Sequence, residues 1–165
     1  MGLGASEHLS KIIIHPHNSD IIWVASQGPL WSKGGERGIF ISNDGGKSWI
    51  QTLGDKEWVG ATDILIDPRD PNLLYAATWQ RHRTVAGYMG GGPGSAIYKS
   101  KDGGESWKKI NNGLPNSNLG KIGLAISPQN PDVIYAAIEL DRRKGGVFKS
   151  DNKGLSWKKM SDAAC

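Results

Sequence analysis

Cysteine is all but missing from this chain: of 165 residues the only one is Cys165, at the last position. An internal disulfide and a thiolate metal site are thereby excluded. Long apolar runs are missing as well, none approaching the roughly 18 residues of a membrane-spanning helix. Met1-Gly-Leu-Gly-Ala-Ser lacks the charged and apolar regions of a signal peptide. These absences predict a soluble chain without a membrane span, and the Ala-Ala-Cys ending reads as an interruption rather than a domain terminus. Charge of one sign is also scarce. Twenty Lys and Arg against sixteen Asp and Glu leave a formal charge of +4, interleaved rather than clustered, so nucleic acid is not an expected partner. Helical periodicity is absent throughout.

What is abundant is punctuation and tryptophan. Twenty-three glycines, eight prolines and seven tryptophans, with 38% apolar residues, describe a turn-rich, well-packed all-β chain. One eight-residue phrase occurs three times: Ser42-Asn-Asp44-Gly-Gly46-Lys-Ser48-Trp49, Ser100-Lys-Asp102-Gly-Gly104-Glu-Ser106-Trp107 and Ser150-Asp-Asn152-Lys-Gly154-Leu-Ser156-Trp157. A fixed period of this size marks a repeat architecture.

A second element precedes each phrase. It runs from Ile12 to Ala25, from Ile64 to Ala77 and from Leu124 to Ala137, each time an apolar run, a Pro/Asn/Asp turn and a second run rich in β-branched and aromatic residues. This is a hairpin pattern, and the runs are apolar on both faces, as expected of strands sandwiched between neighbouring sheets. A third strand ends at the phrase and a fourth begins at its tryptophan. The fold class expected is therefore a β-propeller segment: three four-stranded antiparallel blades at approximately 9–53, 60–111 and 119–161, an incomplete propeller in one chain.

Inside the phrase the chemistry is local. An Asp carboxylate accepts backbone N–H bonds within the turn, Gly46, Gly104 and Gly154 supply positive φ, and the Trp ring plugs the gap between sheets. Asn152 in the third copy supports this structural role over catalysis or calcium binding, because an amide is a poor acid, base or hard-cation ligand.

The pattern Ser-x-Asp-x-Gly-x-Ser/Thr-Trp resembles the Asp box, or bacterial neuraminidase repeat, of β-propellers in sialidases, xyloglucanases, photosystem II assembly factors and sortilin-type receptors. The wording around Tyr88-Met-Gly-Gly-Gly-Pro-Gly-Ser and Asp132-Val-Ile-Tyr-Ala-Ala-Ile-Glu is most similar to bacterial sortilin-like repeat proteins, often labelled glycosyl hydrolases. The resemblance implies a propeller, and an extracellular or periplasmic setting for the family. The sialidase Arg-Ile-Pro motif is lacking before the first blade, against a sialidase.

Propellers typically use about four to eight blades, so three leave a ring open. The expectation is that open blade faces are covered by self-association, a two-chain six-blade ring being one option, or by remaining blades of a longer propeller. With the phrase joining strands three and four, the links at 27–37, 55–62, 80–95, 111–121 and 140–145 share the opposite face. That face is where a ligand is expected, on Trp31, Trp58, Arg81, His82, Arg83, Tyr88, Arg142 and Arg143, since arginines beside aromatics suit carboxylate, phosphate or peptide groups. Glycoside hydrolysis needs two carboxyl groups about 5 to 10 Å apart, and the face offers Asp55, Glu57, Glu139 and Asp141, with Glu139 and Asp141 the catalytic candidates. His15 and His17 lack a third ligand for a metal, and Gly90-Gly-Gly-Pro-Gly lacks the Lys and helix of a phosphate loop.

The reading ranked first is a non-catalytic, protein- or peptide-binding scaffold with no cofactor and no metal. The alternative is part of a glycoside hydrolase propeller, xyloglucanase- or sialidase-like, which would add carbohydrate as a ligand.

Overall fold

The computed structural model describes residues 2–55, 57–140 and 145–162. The chain forms three four-stranded antiparallel sheets, in two of which every strand pairs with its neighbour in sequence, while in the other a two-stranded ribbon intervenes between the second and third strands. The first blade comprises β1 (Leu9–His15), β2 (Asn18–Ser26), β3 (Gly38–Ser42) and β4 (Ile50–Leu53). The second comprises β5 (Val59–Asp67) and β6 (Asp70–Gln80), then β9 (Ile97–Ser100) and β10 (Lys108–Lys109), with a two-stranded ribbon, β7 (His82–Arg83) and β8 (Tyr88–Met89), between them. The third comprises β11 (Leu119–Ile126), β12 (Ile134–Leu140), β13 (Gly146–Ser150) and β14 (Lys158–Asp162). These are propeller blades, as the repeats predict.

The first strands of the three blades lie side by side. Ser10 Oγ donates to the Ala61 carbonyl at 2.9 Å, and Thr62 Oγ1 to the Ile122 carbonyl at 2.6 Å. Asp63 ties all three blades together, accepting Lys11 Nζ through Oδ1 and the Leu124 amide through Oδ2, both at 2.8 Å. Two apolar clusters fill the gaps between sheets. One packs Trp23, Ile39 and Ile41 of the first blade against Ile64, Leu74 and Trp107 of the second. The other packs Tyr75, Ile97 and Ile110 of the second blade against Ile122, Ile134, Phe148 and Trp157 of the third.

Burial follows position in this stack. In β6 every residue from Leu73 to Trp79 is buried, because a sheet lies on either side. In β12 buried and exposed residues alternate, with Tyr135, Ala137 and Glu139 uncovered. The expected two-faced burial therefore holds for the middle blade and fails for the third, which has a neighbour on one side only.

The repeated turn closes in the same way in all three copies. Ser42 Oγ donates to Asp44 Oδ1 and accepts the Gly46 amide, both at 2.8 Å, while Asp44 Oδ1 accepts the Lys47 and Ser48 amides at 3.0 and 2.9 Å. Ser100, Asp102, Gly104 and Ser106 repeat this arrangement. Ser150, Asn152 and Gly154 repeat it again, and there Asn152 Nδ2 donates to Ser156 Oγ at 2.8 Å. A carboxylate in that place accepts from the serine, whereas the amide donates to it. Left-handed φ values of 87°, 92° and 79° fall on Gly46, Gly104 and Gly154. Each turn also docks on the hairpin between strands one and two, through Gly45, Gly103 and Lys153 amides to the Asp20, Asn72 and Asp132 carbonyls at 3.0 Å. The turns thus occupy one end of the blades, and the long loops occupy the other.

Candidate functional site

The loop end is built on two buried arginines. Arg37, fully buried, donates to the carbonyls of Gln27, Pro29, Ser32 and Gly34 and so folds the β2–β3 loop around itself. Burial, then the nearby Arg81, pulls its pKa below the ordinary arginine value. Arg81 is also buried, donates to the Gly28 carbonyl at 3.1 Å and lies 5.0 Å from the Trp79 ring. Of the expected binding residues, Arg81 is thus the one whose side chain is buried beneath the loops.

Above the arginines sits an aromatic layer. Trp58, half-buried, packs on His82 with ring centres 4.4 Å apart, and Arg37 lies 5.7 Å from the Trp58 ring. The backbone locks these loops together, Arg81 N donating to the Trp58 carbonyl at 3.3 Å and Arg83 N to the Leu30 carbonyl at 3.0 Å. Trp58 and His82 therefore form a floor.

The outermost layer is what solvent meets. Trp31 and Tyr88 are exposed, and the Arg83 guanidinium lies between them, 5.3 Å from the Trp31 ring and 6.0 Å from the Tyr88 ring. Beyond Tyr88 a cleft of about 660 Å³ opens between the β6–β9 loop and the third blade, lined by Tyr88, Gly91, Ser117, Asn118 and Glu139 among others. Burial, then the Glu139 charge, raises the Tyr88 phenol above its ordinary pKa. The phenol is thus a hydrogen-bond donor across neutral pH. The Trp79 indole N–H fastens the cleft wall, donating to the Gly90 carbonyl at 2.8 Å.

Of the carboxylates expected here, Asp55 is spent, since one oxygen accepts the amides of Glu57, Trp58 and Val59, each at 2.8 Å. Glu57 is exposed and pairs with Lys33 at 3.6 Å. Glu139 lines the cleft. Asp141, Arg142 and Arg143 lie outside the described residues. At the opposite end Asp44 and Asp102 are held at about 2 by serine hydroxyl and amide hydrogen bonds, and are consumed by their turns. Among the described residues no group of three or more His, Cys, Asp or Glu side chains is placed to hold a metal ion.

The sequence reading missed Arg37 and Trp79. Neither has a local signal: Arg37 stands in a Gly-rich loop like any surface arginine, and only folding surrounds it with carbonyls. It also missed Asn118 and Ser117, polar loop residues that become cleft walls through the pairing of Gly92 with Leu119.

No family model matches the chain. Among curated proteins it is 28% identical over 125 residues to a xyloglucanase of Acetivibrio thermocellus, covering 69% of this chain and 14% of that protein. It is 31% identical over 127 residues to a xyloglucanase of Paenibacillus sp, covering 76% and 11%. A xyloglucanase of Hypocrea jecorina is 26% identical over 165 residues, covering 96% and 18%. The chain thus spans less than a fifth of the length of these relatives. Among solved structures it superposes on an ancestral GH74 enzyme with a TM-score of 0.69 at 24% identity, over 93% of this chain and 18% of that one. The GH74 xyloglucanase from Xanthomonas campestris gives 0.68 at 15% identity, over 93% and 21%. The structure of YCF48 bound to D1 peptide gives 0.52 at 13% identity, over 96% and 42%. At these identities the structural likeness establishes the propeller blades.

Proposed function

We propose that these blades are a carbohydrate-binding portion of a xyloglucanase-like glycoside hydrolase propeller. The observation that carries this reading is the exposed row Trp31, Arg83, Tyr88 leading into the cleft that Glu139 lines. Flat aromatic faces stack on sugar rings, and a cleft walled by asparagine, serine, a phenol and backbone groups meets hydroxyls in both donor and acceptor roles. Sequence similarity to xyloglucanases, reaching 96% of the chain, supports the same ligand class. The repeated turn is read as an Asp box, a structural staple at the end away from the ligand.

Hydrolysis requires a second carboxyl group across the scissile bond from Glu139. Asp55 accepts backbone amides through one oxygen and Asp141 lies outside the described residues, so binding is the role proposed for this portion. A peptide-binding scaffold, ranked first from the sequence, has a peptide-bound propeller at 13% identity in its favour, which is weaker support than the sequence similarity to xyloglucanases. Affinity gel electrophoresis decides between them: the chain is expected to be retarded in gels containing xyloglucan, and Trp31→Ala to restore its mobility. Unretarded migration of the wild type would remove the carbohydrate reading.

A further inference from the structure

At the turn end, a groove of about 320 Å³ runs along the seam between the second and third blades. Its sides are Lys99, Lys101, Trp107, Lys108 and Ile110 of the second blade and Leu155 of the third. Leu155 is 66% exposed, so aliphatic surface meets solvent between lysine side chains. Both blades belong to this chain, and the seam beneath is already closed. Trp157 Nε1 donates there to the Ile110 carbonyl at 2.7 Å, and Asn112 Nδ2 to the Leu155 carbonyl at 3.3 Å.

Positive charge gathers along this groove without a counter-charge. Lys108 stands directly opposite Lys99 across β9 and β10, and like charges so placed repel. The buried Lys99 ammonium donates to the Lys153 carbonyl at 2.9 Å. Burial first, then Lys101 and Lys153, lowers its pKa against the opposing pull of Asp67 and Asp132. Asp102, the carboxylate lining the groove, is taken up by the hydroxyls and amide of its own turn. Among the described residues neither Lys101 nor Lys108 forms an ion pair.

The repeats supply two comparisons. Lys99, Lys101 and Lys108 correspond to Lys149, Asp151 and Lys158 in the third blade, where Asp151 neutralises Lys149 at 2.6 Å. In the first blade the same places hold Ile41, Asn43 and Ile50. An outer strand of this fold therefore does without lysine, and protection of a sheet edge does not account for it. Leu155 corresponds to Glu105 on the seam between the first and second blades. Of the two seams, only this one surrounds an exposed leucine with three lysines.

We infer that this groove takes an acidic peptide segment, one apolar side chain lying against Ile110 and Leu155 and flanking carboxylates meeting Lys101 and Lys108. The aliphatic lining favours a peptide over a sugar chain, which stacks on flat aromatic faces; Trp107 is half-buried by its packing on the first blade. Complementary charge at the rim sets the register of the segment and speeds its encounter. The groove lies at the end away from the carbohydrate face and stands independently of that reading.

Fluorescence anisotropy of a labelled peptide, Asp-Glu-Phe-Leu-Glu-Asp, titrated with the full chain tests this. A saturable rise is expected, weakened by added salt and unchanged in Trp31→Ala. Binding should fall about tenfold in the double variant Lys101→Gln with Lys108→Gln, and likewise in Leu155→Ser, all exposed positions. Circular dichroism verifies folding, and Lys101→Gln alone repeats the test if the double variant is disturbed. Peptides with amides in place of the carboxylates, or with Gly-Gly in place of Phe-Leu, are expected to bind about tenfold or more weakly. No binding of the labelled peptide by folded wild type, or binding that neither groove variant weakens, overturns the inference. A loss in Trp31→Ala places the peptide on the loop end and also overturns it. Equal binding of the Gly-Gly peptide, of oligogalacturonate or of single-stranded DNA of the same charge marks bare polyanion attraction and overturns it as well.

Discussion

Arg83 lies over Trp31 at 5.3 Å from the ring centre, a cation laid on an indole that remains 60% exposed. An exposed stack of this kind contributes only about 0.5–1 kcal/mol to folding, so its removal separates binding from stability. Trp31→Ala is predicted to weaken xyloglucan binding about tenfold or more, near 1.4 kcal/mol, and to leave the urea midpoint almost unchanged. Arg83→Ala should weaken binding less, because the tryptophan face survives. A parallel loss of midpoint and binding in both variants would instead mark the row as structural.

Arg37 is predicted to behave in the opposite way. Replacing it with Met strands four loop carbonyls that now accept from its guanidinium, and each orphaned buried group costs about 1–3 kcal/mol. A loss of roughly 3 kcal/mol or more is expected in urea unfolding, and Arg37→Lys should recover little of it, since an ammonium has fewer donors, all on one atom, and no planar fork.

The acid limb of stability should report the repeated turns. Asp44 is held at about 2, chiefly by the Ser48 hydroxyl and amide, and Asp102 at about 2, chiefly by the Ser100 and Ser106 hydroxyls, from an ordinary 3.8. A carboxylate depressed in the folded state stabilises it fully above its unfolded pKa and loses that contribution as pH falls through the folded value. Melting temperature, followed by circular dichroism, should be level in this respect above about pH 5 and decline from about pH 4 toward pH 2. Asp102→Asn should keep the fold and flatten part of that decline, as the Asn152 turn already shows an amide closing the same turn with the bond to the second serine reversed.

Lys153 occupies a left-handed conformation with φ of 58°, where the other two copies have Gly45 and Gly103 at 71° and 72°. A side chain there costs about 1–2 kcal/mol. Lys153→Gly is predicted to raise stability by about 1 kcal/mol, reduced somewhat by loss of the 3.5 Å contact with Asp132, as measured by chemical denaturation. Unchanged or lowered stability would mean that the contact, or unfolded-state entropy, outweighs the strain.

How much of this was legible beforehand divides along a physical line. The blades and their polarity follow from local patterns: the Ser/Asp/Gly/Trp phrase closes its own turn within eight residues, and the hairpins before it are written in adjacent runs. The loop end depends on contacts between distant segments. Arg81 is buried by the Gly28 carbonyl 53 residues away, and Trp58 is floored by His82 through the loops that bring them together, so neither is separable in sequence from the exposed Arg83 and Trp31. Glu139 is legible as a loop-end carboxylate, but the cleft beside it is not, because it depends on the pairing of Gly92 with Leu119.

The most direct test of the central claim is isothermal titration of the chain with xyloglucan oligosaccharide, beside Tyr88→Ala and Trp31→Ala. A saturable signal with wild type, lost or weakened about tenfold in both folded variants, is the predicted result. Absence of binding by the folded wild type, or binding that neither variant alters, would contradict a carbohydrate site on this face.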